Sequence, residues 1–124
     1  MKIIATICSR TKDTREEPLP AIERYQGEHI QQVADIAQEA QTPFFILSGV
    51  YGLVSASEAV PFYDHLLEED EVPALTKKIV DQIDAHGITE ITFYTKEKDA
   101  WAPYKAALEN ASKETGVLFT TKSL

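Results

Sequence analysis

The stretch Phe44–Asp64, FFILSGVYGLVSASEAVPFYD, decides how the chain is read. Pro43 bars a helix, and the apolar run Phe44–Leu47 that follows predicts a buried strand. The run breaks at Ser48-Gly49. No helical periodicity resumes until Val72, although a strand-to-helix link needs only a few residues. That long connection holds two tyrosines in Tyr51 and Tyr63, two glycines in Gly49 and Gly52, and the pair Asp64-His65. A segment of that length and chemistry is expected to build a wall of a binding pocket.

Outward from this strand the pattern alternates. Lys2–Cys8, KIIATIC, is rich in β-branched residues and predicts a first strand. Ser9–Pro20 carries charges and two prolines and reads as loop. Ile30, Val33, Ala34, Ala37 and Ala40 recur at helical spacing over His29–Ala40, with Gly27 or Glu28 at the start. Val72, Leu75, Ile79 and Ile83 mark a second helix closed by Gly87. Ile88–Thr95 alternates at period two. Asp99 is the expected N-cap of a third helix, which carries Pro103 in its first turn and buries Trp101, Tyr104, Leu108 and Ala111. Gly116 ends it, and Val117–Lys122 is the last strand.

The order βαβαβαβ predicts a single three-layer α/β/α domain, Rossmann-like, with a mainly parallel four-stranded sheet in the order 2-1-3-4. In such sheets ligands bind beyond the carboxyl ends of the strands. The two longest connections, Ser9–Glu28 and Ser48–Glu71, both follow carboxyl ends, so both are expected at one rim.

The chain has 124 residues and a formal charge of −8, enough length for a core without staples. No apolar stretch is long enough to span a bilayer, and MKIIATIC lacks a signal-peptide cleavage pattern, so no membrane partner is expected and the cytoplasm is the expected compartment. A single cysteine, Cys8, rules out an internal disulfide. So acidic a chain is poorly suited to duplex DNA, whose binding rests on neutralised phosphates. His29, His65 and His86 are scattered, and no metal or cofactor is implied.

The segment Cys8-Ser9-Arg10-Thr11-Lys12 follows the first strand without the glycines of a P-loop or a dinucleotide fingerprint. Its hydroxyls, backbone N–H groups and two fixed cations suit a single anionic group. Arg15 reads as a surface charge. Cys8 reads as a small buried hydrophobe, with a redox role as the alternative. Ser48 either caps its turn or binds a phosphate or sugar hydroxyl. Tyr51 either plugs the sheet end or offers a face to a base. Gly49 and Gly52 fit turns that need positive φ, close ligand approach, or both. Asp64 either caps the next helix or points a carboxylate at a bound ribose, as nucleophile or base; His65 is a bystander. Glu23, Glu28 and Glu58 are candidate partner acids on loops.

Cys8-Ser9-Arg10-Thr11-Lys12, Tyr25-Gln26-Gly27, Ile46-Leu47-Ser48-Gly49-Val50-Tyr51-Gly52-Leu53 and Pro61-Phe62-Tyr63-Asp64 together resemble the YaaA-like peroxide-stress family, most closely its small single-domain relatives. The resemblance covers the first half of the chain. Phe62 is inserted between Pro61 and Tyr63 where the relatives run directly from proline to tyrosine. The family's DNA binding is not carried over, because the chain is shorter and has no helix-hairpin-helix segment. The resemblance and the residues together imply a nucleotide- or nucleoside-like ligand held by Ser9, Arg10, Lys12, Tyr25, Ser48, Gly49, Tyr51, Gly52 and Tyr63. Asp64 is the candidate catalytic group for glycosidic-bond chemistry. The alternative is a stress-response protein that binds a ligand or partner without turnover.

Overall fold

A computed structural model describes residues 1–124. In chain order the elements are strand β1 (Lys2–Ile7), the two-residue strand β2 (Leu19–Pro20), the single helical turn α1 (Ala21–Arg24) and helix α2 (Glu28–Glu39). Strands β3 (Phe44–Ser48), β4 (Gly52–Ser55) and β5 (Ala59–Val60) follow, then helix α3 (Val72–His86), strand β6 (Glu90–Thr95), helix α4 (Ala102–Thr115) and strand β7 (Leu118–Ser123).

The main sheet has five strands in the order β4-β3-β1-β6-β7. Its four parallel members stand in the order expected from the sequence, with β1 central and Ile4 beside Phe44 on one flank and Thr92 on the other. The four-strand count is corrected. After the turn at Ser48, residues Gly52–Ser55 fold back as an antiparallel edge, with Leu53 opposite Leu47. Leu53 and Val54 are each about 1% exposed, so burial, rather than loop chemistry, explains those two residues.

With this strand order, the right-handed crossover rule puts α2 on one face and α3 and α4 on the other. Accordingly α2 packs on β1 and β3, while α3 and α4 pack on one another. The core joins Ile3, Ala5, Ile7, Leu47, Ile91 and Phe93 under Ile79, Ile83 and Leu108. Gly87 and Gly116 end α3 and α4 in the left-handed region, at φ 66° and 76°. Asp99 does not cap a helix. The turn Asp99–Trp101 is 3-10, its N-cap position is Lys98, and no side chain caps it.

The two long connections are sewn together. Leu19 pairs with Val60 and Pro20 with Ala59 in a two-stranded ribbon, and the backbone N–H groups of Ala21 and Ile22 donate to Glu58 and Ala56. A bridge between Lys12 and Tyr25 closes the first connection on itself. Both connections therefore meet at the rim where β1 and β3 end.

Candidate functional site

At the end of β1, Cys8 and Ser9 are still buried, and the Ser9 hydroxyl donates to the Thr11 carbonyl at 2.6 Å, turning the chain. This turn presses on the start of α2. A Cβ on Gly27 would stand 2.8 Å from Ser9 Cβ and 2.7 Å from the His29 ring, so only glycine fits there. His29 Nε2 donates to the Ile7 carbonyl at 2.7 Å, and burial holds the imidazole below its ordinary pKa.

Further along the same loop, Asp13 and Arg15 form a two-pronged pair at 3.1 and 3.0 Å, which balances the Arg15 charge and holds Asp13 below the usual carboxylate range. Arg24 is fully buried. Its guanidinium donates to the carbonyls of Asp13, Arg15, Glu17 and Val60, fixing both connections from inside. Sequence reading missed this residue, since an arginine in a short polar helix ordinarily faces water.

At the end of β3, Ser48 Oγ accepts the backbone N–H groups of Val50 and Tyr51 at 3.1 and 3.0 Å. Both its lone pairs are then occupied, so its hydroxyl hydrogen is given to the Tyr63 oxygen, 2.7 Å away. Tyr63 continues to the Tyr25 hydroxyl at 2.6 Å. Burial pushes Tyr25 up to about 12 and Tyr63 higher still, so both phenols are neutral. The rings of Tyr25 and Tyr51 both meet that of Tyr63 edge-on. Ser48 and Tyr25 are wholly buried, and their hydroxyls hold the turn and the wall rather than facing solvent. Gly52, at φ 73°, is required by the turn and by Gln82, whose Oε1 would lie 2.3 Å from an added Cβ. Gly49 lies against the Tyr104 ring, 3.1 Å from where a Cβ would stand.

Outside this network lies a cavity of about 300 Å³. Cys8 and Tyr104 form its floor, Ser9, Arg10 and Lys12 come from the first connection, and Asp64 comes from the second. A third wall comes from Lys98 and Trp101, in the loop after β6. The sequence rule that sites lie at strand carboxyl ends applies to β6 as well, and KEKDAW at Lys96–Trp101 was the available signal. Burial pushes the Cys8 thiol up, which fits its reading as a small hydrophobe. The Tyr104 hydroxyl accepts the Leu67 N–H at 3.0 Å and pins the far end of the second connection.

Arg10, Lys12 and Lys98 take part in none of the four salt bridges of the chain. Lys12 instead stands 4.8 Å from the Tyr63 ring centre and Lys98 5.3 Å from that of Trp101. Asp64 is exposed at the cavity mouth and caps nothing, because the helical turn before α3 is closed by reciprocal bonds between Glu68 and Glu71. His65 pairs with both oxygens of Glu71, at 2.9 and 2.8 Å. Glu23 and Glu28 line a different hollow beside Asp13, and Glu58 lies in the turn before β5, so none of the three candidate acids reaches Asp64.

Of the residues proposed from sequence, Ser9, Arg10, Lys12 and Asp64 share this cavity, and Tyr63 and Asp64 share an adjoining one. Tyr25, Ser48 and Tyr51 stand behind them as support.

Fold and rim together define a mostly parallel α/β protein with a basic cavity at the carboxyl ends of its strands. Residues 4–117 match the model of DUF6884, a family of unknown function, and the chain belongs to that family. No curated protein and no solved structure matches it. No helix is long and apolar enough to cross a membrane.

Proposed function

We propose that the chain is a Rossmann-like, YaaA-related protein of the cytoplasm whose rim cavity binds a small anionic ligand of the nucleotide or nucleoside class. One observation carries the reading. In a chain of net charge −8, three cations without acidic partners converge on one cavity beside an aromatic ring and a free carboxylate. Unpaired cations around a concave site supply the charge a phosphate needs, and Trp101 supplies a flat surface for a base. The volume is at the lower end of the range for small-molecule sites.

In the catalytic form of this reading, Asp64 acts on a glycosidic bond. Its carboxylate attacks the anomeric carbon as the glycosidic bond breaks. The base leaves with the bonding pair, taking a proton from solvent, and water then hydrolyses the glycosyl ester. Alternatively, the carboxylate stabilises the positive charge that develops there while water attacks directly. Asp64 is the only carboxylate lining the cavity, so a two-carboxylate mechanism has no second member. That favours a second reading, a stress-response protein that binds the ligand without turnover, and the exposure of Asp64 points the same way.

The test is thermal shift and turnover with a panel of nucleoside monophosphates. Lys12→Ala should abolish the shift. Asp64→Asn should keep the shift and, if the protein is an enzyme, abolish release of the base. No shift with any nucleotide ends the ligand reading, and a shift without turnover ends the catalytic form.

A further inference from the structure

The rim cavity is not isolated. A second cavity of about 430 Å³ adjoins it and is lined by Thr14, Phe62 and Tyr63. The two share Arg10, Lys12, Asp64 and Leu66. Each compartment alone matches the lower range of a small-ligand site. Both shared cations stand on the divide, and each side has an aromatic residue: Trp101 in the first, Phe62 in the second.

The aromatic residues differ in how they are held. Trp101 is half-buried against the His29 ring, with centroids 5.1 Å apart, and an exposed lysine, Lys98, stands over it. Phe62 is 46% exposed and Leu66 50%, two of the five large apolar residues this chain leaves in water. The Phe62 ring centre lies 5.8 Å from the buried Arg24 guanidinium, within reach of a cation–π contact. An exposed ring beside unpaired cations offers a face on which a base can stack.

We infer that the ligand is a dinucleotide: two nucleosides bridged by phosphate, with the bridge on Arg10 and Lys12 and one base in each compartment. This rests on the proposed nucleotide reading and extends it from one ring to two. Phe62 provides the second platform. Asp64, also on the divide, faces the sugar next to the bridge.

Calorimetric titration of the full chain tests this with three probes: adenosine monophosphate, a dinucleotide joined by an ordinary phosphodiester, and one joined tail to tail by pyrophosphate. At least one dinucleotide should bind about tenfold or more tighter than the monophosphate, the low to middle range for one added stacked base. Which of the two gains tells whether the source is a nucleic-acid fragment or a free dinucleotide. Phe62→Ala should erase the gain and leave monophosphate affinity unchanged, with an unaltered melting temperature as the folding control. Equal affinity for all three probes, or a gain that survives Phe62→Ala, overturns the two-base inference while leaving the nucleotide reading intact. No binding of any probe overturns both.

Discussion

The Tyr63 hydroxyl lies 2.7 Å from Ser48 Oγ and 2.6 Å from the Tyr25 hydroxyl, so one phenol joins the end of β3 to the first connection. Tyr63→Phe removes the shared oxygen, leaving the Ser48 hydrogen without an acceptor in a dry place. A buried hydroxyl left unpaired costs about 1–3 kcal/mol, and that loss is expected in urea unfolding. Ser48→Ala combined with Tyr63→Phe should cost less than the sum of the two single changes, because the second change removes a group already orphaned. Additive effects would show that the two hydroxyls do not depend on each other.

Arg24 is the stronger clamp. Its fully buried guanidinium reaches four backbone carbonyls from two connections, and no carboxylate pairs with it in a salt bridge. Arg24→Met keeps much of the volume but leaves those carbonyls in the interior without donors. The expected loss is about 3 kcal/mol or more, because each buried carbonyl left without a donor costs about 1–3 kcal/mol. Lysine, with one compact ammonium, cannot serve four divergent acceptors and should rescue little. A loss below about 1 kcal/mol by chemical denaturation would mean that water replaces the guanidinium there.

These two networks mark the limit of what the sequence conveys. The four parallel strands, α2, α3 and α4 were legible because Ile30, Val33 and Ala37, or Leu75, Ile79 and Ile83, repeat at helical spacing and glycines end two of the helices. β4 was hidden because GLVS sits between glycine-rich and polar residues and takes its strand form from pairing with β3. Arg10, Lys12 and Asp64 were legible as chemistry at a strand end. Lys98 and Trp101 were missed although KEKDAW follows the carboxyl end of β6, because that connection is short and its charges read equally well as the solvated start of a helix. Arg24 leaves no periodic signal, since its partners are backbone carbonyls 7 to 36 residues away.

The pH dependence of stability should show a step from His29. Burial lowers its folded pKa, so below the ordinary value of about 6.5 the unfolded chain takes up a proton that the folded chain resists. Its contribution is therefore fully present above that pH and declines as pH falls toward the folded pKa. His29→Gln should flatten this part of the curve. Glu71 and Asp13, both held below their ordinary values, act in a separate window, losing their contributions as pH falls through their lowered folded pKa values. Urea midpoints measured from pH 8 to pH 5 (about the range where a histidine titrates) separate the two windows. An unchanged slope in His29→Gln would assign the step to another group.

Two backbone positions of the same hand should respond in opposite directions. Gln41, just beyond α2, has φ 52°, a left-handed conformation that strains any residue with a Cβ. The backbone N–H of Thr42 bonds back to Ala37 there, the closing pattern that ordinarily uses glycine. Gln41→Gly should therefore stabilise the protein by about 0.5–1 kcal/mol, after the greater freedom of glycine in the unfolded chain offsets part of the relief. Gly52 shares that hand at φ 73°, but its missing side chain leaves room for Gln82. Gln82 accepts from Leu53 N–H and donates to the Tyr51 carbonyl, both at 2.8 Å, and so holds the edge strand to α3. Gly52→Ala adds backbone strain of about 1–2 kcal/mol and displaces Gln82, whose bonds are worth about 1 kcal/mol each. Thermal unfolding of both variants should move Tm up for the first and down for the second. If Gly52→Ala is neutral, Gln82 is not the tie between α3 and the edge strand.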